Sequence, residues 1–145
     1  MLVYSVSSVL HFDANNNLLL QSYHGGLTDT AMVEGCLQTE KYFASHPPSR
    51  IITDFTNVTS TDVSSHTIRT LASAPPKVPV GFDRVLVAPQ NSLYGVARMF
   101  QILVEKTSPN LRIVRALDEA YRLLGIESAE FSPVEPGVLV EHHSA

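Results

Sequence analysis

Residues 50–65, RIITDFTNVTSTDVSS, decide the fold of this chain. The apolar run from Arg50 to Phe55 follows two prolines and has the length of a buried strand. The polar residues 56–61 predict a loop after that strand. Asp62 is a good helix N-cap, and apolar side chains then recur at helical spacing until Pro75, so a short helix is predicted to begin at Asp62. A strand, a loop and a helix in succession are typical of an α/β protein.

The residues before this stretch predict a β-hairpin. Its strands run from Leu2 to Phe12 and from Leu18 to Tyr23, and the Asn-rich residues 13–17 connect them, because Asn tolerates left-handed backbone angles. Gly25-Gly26 is predicted to end the second strand as a turn. The free edge of such a hairpin can pair with a second copy of the chain, so we expect a possible homodimer.

Helices alternate with strands over the rest of the chain. A first amphipathic helix is predicted from Thr28 to about Ala44, and it is followed by the stretch quoted above. The apolar positions of this first helix are Val33, Cys36, Leu37, Phe43 and Ala44. The later elements are a strand over 84–88, a helix over 93–107, a strand over 111–115 and a helix over 117–124 that Gly125 closes.

The order β-β-α-β-α-β-α-β-α predicts an α/β fold. Strands separated by helices imply a mixed, mostly parallel sheet, with the N-terminal hairpin adding an antiparallel strand and four helices packed over the sheet. Residues 1–125 are predicted to form one domain and residues 126–145 a C-terminal tail of uncertain order.

Composition excludes several classes of function. With 10 Lys and Arg against 14 Asp and Glu, the net charge of -4 provides no positive field for nucleic acid. One cysteine cannot form an internal disulfide, and the six histidines lack the spacing of a metal site, so neither a metal nor a cofactor is expected. No apolar run is long enough for stable membrane insertion and no signal segment begins the chain, which predicts a cytoplasmic location.

Residues 51–65 resemble the signature of STAS domains of the anti-sigma factor antagonist type. In that signature an apolar strand ends in Asp, a short loop follows, and Asp-Ser-Ser-Gly opens a helix. Asp54 and Asp62 match the two aspartates and Ser64 matches the second serine, whereas Val63 replaces the first serine and Ser65 replaces the glycine.

Two later stretches are similar to the SpoIIAA-like branch, whose members are described as STAS/SEC14 domain proteins of bacteria. These stretches are RVLVAP at 84–89 with LYGVARMFQ at 93–101, and ALDEAYRLL at 116–124. The resemblance implies a STAS/SpoIIAA-like fold and a non-enzymatic regulatory module. Such a module recognises a protein partner, an anti-sigma factor or a kinase-like regulator, and is switched by phosphorylation at Ser64. The SEC14 description implies an alternative, a carrier for a small apolar molecule or lipid.

Each residue singled out by this resemblance also has a plainer explanation. Ser64 lies in the first turn of the predicted helix, where free amides and the helix dipole favour a phosphate, yet Ser64 and Ser65 also suit a helix start. Asp54 lies at the predicted carboxyl end of a core strand, where open α/β sheets bind ligands or partners, or else accepts amides of the loop that follows. Asp62 is first of all a helix cap.

The predicted third helix carries a second candidate site. Tyr94 and Arg98 lie one turn apart and could present a phenol and a guanidinium to an anionic or lipid headgroup, or could form a solvent-facing stripe. Tyr94, Met99 and Phe100 could line a lipid-accepting pocket. Gly95 within this helix predicts a close contact with a neighbouring element.

Overall fold

The structure is a computed structural model that describes residues 7–47, 49–75 and 81–134. Within these residues the strands are β1 (Ser8–Asp13), β2 (Leu18–Thr28), β3 (Arg50–Asp62), β4 (Asp83–Val87), β5 (Leu111–Val114) and β6 (Ser132–Pro133). The helices are α1 (Asp29–Ser45), α2 (Ser65–Ser73), α3 (Asn91–Leu103) and α4 (Leu117–Leu123).

The strands form one six-stranded sheet in the order β5-β4-β3-β2-β1-β6. The strands β2, β3, β4 and β5 run parallel to one another, whereas β1 is antiparallel to both β2 and β6. Parallel strands need a crossover connection, and α1, α2 and α3 provide the three crossovers. The predicted α/β fold, with a mixed sheet, an N-terminal hairpin and four helices, is therefore confirmed.

Alternation along each strand separates two faces of the sheet. On β3, Ile51, Thr53 and Phe55 point to the side covered by α1, α2 and α3, which we call the α1 face. Ile52 points to the opposite side, the α4 face, where α4 packs on β4. On the α1 face α2 packs against α3, while α1 packs against β2.

The strand β3 is longer than predicted, because it continues through the polar residues 56–61 that were expected to form a loop. It remains a strand because β2 runs alongside it to the pair Thr28 and Asp62. Backbone hydrogen bonds to β2 hold this segment as a strand where the polar composition predicted a loop. The polar side chains of the segment are mostly exposed.

Gly25-Gly26 lies inside β2 and does not form the predicted turn. The pairing of β2 with β3 shifts register at this point, and Gly25 has a φ of 75°. A β-bulge in which one residue adopts a left-handed backbone favours glycine, which explains the residue type.

The predicted burial of α1 is partly wrong. Ala31, Gly35 and Tyr42 are its buried residues, whereas Val33 and Leu37 are exposed. The small residues Ala31 and Gly35 let the helix approach the sheet closely, and this rotates the larger apolar side chains outward.

Residues 126–134 pack against the sheet. Ile126 belongs to the core of the α4 face, and β6 pairs with His11 and Phe12 of β1, so part of the hairpin edge is covered. Residues 135–145 lie outside the described residues, as does most of the predicted strand segment before Ser7. Among the helices described here, none has both the length and the apolar character required to cross a membrane.

Candidate functional site

Ser64 is the N-cap of α2 and its side chain is exposed. Its backbone is extended, and its Oγ accepts a hydrogen bond from the Thr67 amide at 3.1 Å. The prediction that this serine stands at the opening of the helix is confirmed. The prediction that Asp62 caps the helix is wrong, because Asp62 is the last residue of β3 and pairs with Thr28, which places it two residues before the cap.

Asp29, the first residue of α1, ties the starts of α1 and α2 together. Its Oδ1 accepts the Ser64 backbone N–H at 2.7 Å, and its Oδ2 accepts the Ser64 hydroxyl at 2.9 Å. These bonds to the Ser64 amide and hydroxyl hold the pKa of the Asp29 carboxyl below its usual value. Asp29 lies 35 residues away in sequence, and it thus accepts from the Ser64 amide and from the hydroxyl to which a phosphate would be attached.

Asp54 lies in the interior of β3, and the prediction that it ends the strand is wrong. It is buried, and its Oδ1 accepts from the Thr56 amide at 3.0 Å and from the Thr56 hydroxyl at 2.5 Å. Alternation directs its side chain to the α4 face, where its charge contributes to a raised pKa of Tyr121, behind the larger effect of burial. The explanation that Asp54 binds nearby backbone therefore holds, and Ser64 and Asp54 do not share a site.

Tyr94 and Arg98 on α3 each contact another side chain. The guanidinium of Arg115 lies 3.9 Å from the centre of the Tyr94 ring, and the exposed Arg98 donates to the Gln101 side chain. Gly95 is exposed, and a Cβ atom there would meet nothing within 4 Å, so the close contact predicted for it is wrong.

A cavity of about 210 Å³ lies on the α1 face, between α1 on one side and the pair α2 and α3 on the other. Its walls are mostly apolar side chains from the sheet and from all three helices. These include Leu27, Met32, Phe43, Ile51, Phe55, Ile68, Leu71, Leu86, Leu93, Val96, Ala97 and Phe100. Of the three residues predicted to line a lipid pocket, Phe100 does so, whereas Tyr94 and Met99 do not.

Polar groups lie at defined points on the cavity wall. On the sheet, Gln21 is buried and its side-chain amide donates to the Gly35 carbonyl of α1 at 2.9 Å. Tyr23 is also buried and stacks on Phe55 with ring centres 5.1 Å apart. A Cβ atom on Gly35 would lie 1.8 Å from the Tyr23 oxygen, so glycine is required for α1 to pack over this ring.

Arg84 places a positive charge in this apolar wall. It opposes Ile51 across the β3–β4 pair, and its guanidinium carbon lies 5.6 Å from the centre of the Phe100 ring. Burial lowers the pKa of Arg84, while the nearby Cys36 and Tyr23 act in the opposite direction. Burial raises the pKa of both Cys36 and Tyr23, so neither carries a negative charge at neutral pH.

Sequence reasoning missed this cavity, although one signal was present. In the strand RVLV at 84–87, alternation puts Arg84 on the same face as the buried Leu86. A charged residue on the inward face of a core strand requires an explanation, because an unpaired charge is costly to bury. What the spacing could not reveal is that the three helices leave a space in front of it.

No protein-family model matches this chain, and a search of curated proteins finds no match. The resemblance of residues 51–65 to STAS domains thus stays a prediction. Among the described residues, no three His, Cys, Asp or Glu side chains lie together as metal ligands would.

Proposed function

We propose that this protein is a non-enzymatic binding module that holds a small apolar molecule in the cavity of the α1 face. The observation that carries the proposal is a cavity of about 210 Å³ lined mainly by apolar side chains. A folded core is normally packed with few voids larger than a water molecule. Ligand sites are concave and mostly apolar, with a few placed polar groups, and this cavity fits that description.

The size of the cavity limits its occupant. An apolar cavity of about 150 Å³ in another protein binds benzene, which by proportion gives about eight non-hydrogen atoms for this one. The expected ligand is thus a small molecule or a short acyl chain. A carrier for a small apolar molecule is also the alternative role that the resemblance to STAS/SEC14 proteins implies.

The experiment measures binding of octanol to the purified chain by calorimetry and by the rise in melting temperature that a ligand of the folded state produces. Ala72 lines the cavity from α2, and Ala72→Phe is expected to fill part of it and abolish binding. Ala44→Phe is the matched control, because Ala44 is exposed on α1 and does not line the cavity. Equal binding by both variants, or no binding by the wild type, contradicts the proposal.

A regulatory role through Ser64 is the second candidate. It is supported by the exposure of Asp62, Ser64 and Ser65 side by side at the start of α2, where a partner protein could reach them. A phosphate on Ser64 would set its charge against Asp29, whose carboxylate now accepts from the Ser64 hydroxyl. We infer that phosphorylation would break the contact between the starts of α1 and α2, two walls of the cavity.

Mass spectrometry after incubation with bacterial kinases tests this second candidate. Phosphate is expected on the wild type and not on Ser64→Ala, and Ser64→Glu is expected to release a bound regulator. Phosphate found only at other residues, or an unchanged complex, removes Ser64 as a switch. We propose a cytoplasmic location for either role.

A further inference from the structure

Charge is distributed unevenly in the cavity. Among its described lining residues only Glu40 and Arg84 carry full charges at neutral pH. Glu40 has an interaction of its own within the protein and also acts on the Cys36 thiol, one helical turn before it. No salt bridge or hydrogen bond joins Glu40 to Arg84 among the described residues.

Arg84 has no counterion in the described parts of the chain. The salt bridge found in those parts is the exposed pair Arg122 and Asp118, and no side-chain hydrogen bond of Arg84 occurs there. The guanidinium lies near the Phe100 ring, which attracts a cation but does not neutralise it. An arginine keeps its charge in proteins, so the guanidinium stays cationic on the cavity wall.

An anion beside the guanidinium would offset its desolvation. Arginine presents its N–H groups in a planar fork that matches the two oxygens of a carboxylate or the oxygens of a phosphate monoester. The Tyr23 hydroxyl, neutral at pH 7 and on the same wall, is a further possible donor to such a head. The rest of the wall is apolar and suits a hydrocarbon body.

We propose that the cavity binds a small amphipathic anion, a carboxylate or phosphate monoester on a short apolar body, with Arg84 holding the anionic head. This inference rests on the proposed function, since it names the chemical class of the ligand for the same cavity. It assigns Arg84 as the residue that sets specificity.

The experiment compares octanoate, octyl phosphate, octanol and octylammonium as ligands of the wild-type chain at pH 7 by calorimetry. The better anion is expected to bind about ten- to a hundred-fold more tightly than octanol, as one charge-assisted hydrogen-bonded pair provides. Octylammonium is expected to bind most weakly. Whether octanoate or octyl phosphate binds better decides the head group.

Two variants connect the preference to Arg84. Arg84→Met removes the charge with a side chain of similar length and is expected to reduce the anion's advantage over octanol to about twofold or less. Arg112→Met is the matched control, because Arg112 is exposed on β5 outside the cavity, and it is expected to keep the advantage.

The outcomes separate the two proposals. If octanol binds the wild type as tightly as both anions, and Ala72→Phe blocks all of them, the cavity is a ligand site but the anionic class is wrong. Retention of the full preference by Arg84→Met has the same meaning. If none of the four compounds binds, both proposals fail together.

Discussion

The contact between α1 and the sheet at Gly35 gives the sharpest test of the packing. A methyl group at position 35 would lie 1.8 Å from the Tyr23 oxygen and within 3 Å of two carbons of its ring. The ring cannot swing aside freely, since Tyr23 is 2% exposed and stacks on Phe55. Either the ring or the helix must therefore move in the variant Gly35→Ala.

The magnitude follows from two opposing effects. Alanine is favoured over glycine in a helix interior by about 1 kcal/mol. Overpacking a core costs about 1–3 kcal/mol, and a contact this short belongs at the upper end of that range. We expect Gly35→Ala to lower the free energy of unfolding by about 2 kcal/mol.

Gly95→Ala is the matched control, because Gly95 also lies in a helix interior but has open space at its Cβ position. This variant is expected to raise the free energy of unfolding by up to about 1 kcal/mol. The two substitutions should thus differ by about 3 kcal/mol, although the chemical change is identical.

Urea denaturation followed by far-ultraviolet circular dichroism measures the difference, since the chain has no tryptophan for fluorescence. With an m-value of about 2 kcal/mol/M, Gly35→Ala should lower the midpoint by about 1 M. Adding Tyr23→Phe to Gly35→Ala should recover part of the loss, because it removes the oxygen at 1.8 Å. If Gly35→Ala is as stable as Gly95→Ala, α1 does not pack over Tyr23 as described.

Three further predictions concern charge and the core. Bonding to Ser64 lowers the pKa of Asp29, so its contribution to stability is present above the unfolded pKa of about 3.9 and is lost as pH falls through the folded value. The unfolding midpoint of Asp29→Asn should therefore fall less than that of the wild type as the pH is lowered from about 5 to about 3. If the midpoints of the two proteins fall in parallel, Ser64 does not stabilise the carboxylate. Without ligand, Arg84→Met should have a melting temperature no lower than that of the wild type, because it removes a charge that has no counterion in the described residues. A clear drop in melting temperature would show that Arg84 has a stabilising partner. Ile52→Ala should lower the free energy of unfolding by about 2–5 kcal/mol, since Ile52 is fully buried on the α4 face. Ile102→Ala, at an exposed position, should change it by less than about 0.5 kcal/mol. Equal losses for the two variants in urea titrations would contradict the assigned core.

The order of elements was predictable because apolar periodicity and helix stop signals are local. The runs around Ile51 and Val85 and the amphipathic pattern of α3 gave correct elements, and apart from the end of β3 their ends were displaced by a few residues at most. The extension of β3 to Asp62 was not predictable, because it depends on β2 running beside it, and pairing between distant segments leaves no trace in the composition of either one.

In the candidate sites, too, local features were predictable from the sequence and contacts between distant residues were not. Ser64 was placed correctly at a helix start because capping is a local preference of serine. Its bond to Asp29, 35 residues away, was not predictable. The space in front of Arg84, which lies between α1 and the packed pair α2 and α3, was not predictable either. A void depends on the relative positions of several elements, so the sequence of no single element predicts it.

The short strand β6 decides how the sheet ends on its β1 side. Among the described residues it pairs with β1 through Ser132 and Pro133, and Pro133 has no N–H to offer to another strand. A β-sheet with an open flank can be extended by one chain after another, as in fibrils. Pro133 provides no N–H for such an extension, so residues 132–133 disfavour the addition of a further strand on this part of the β1 side of the sheet.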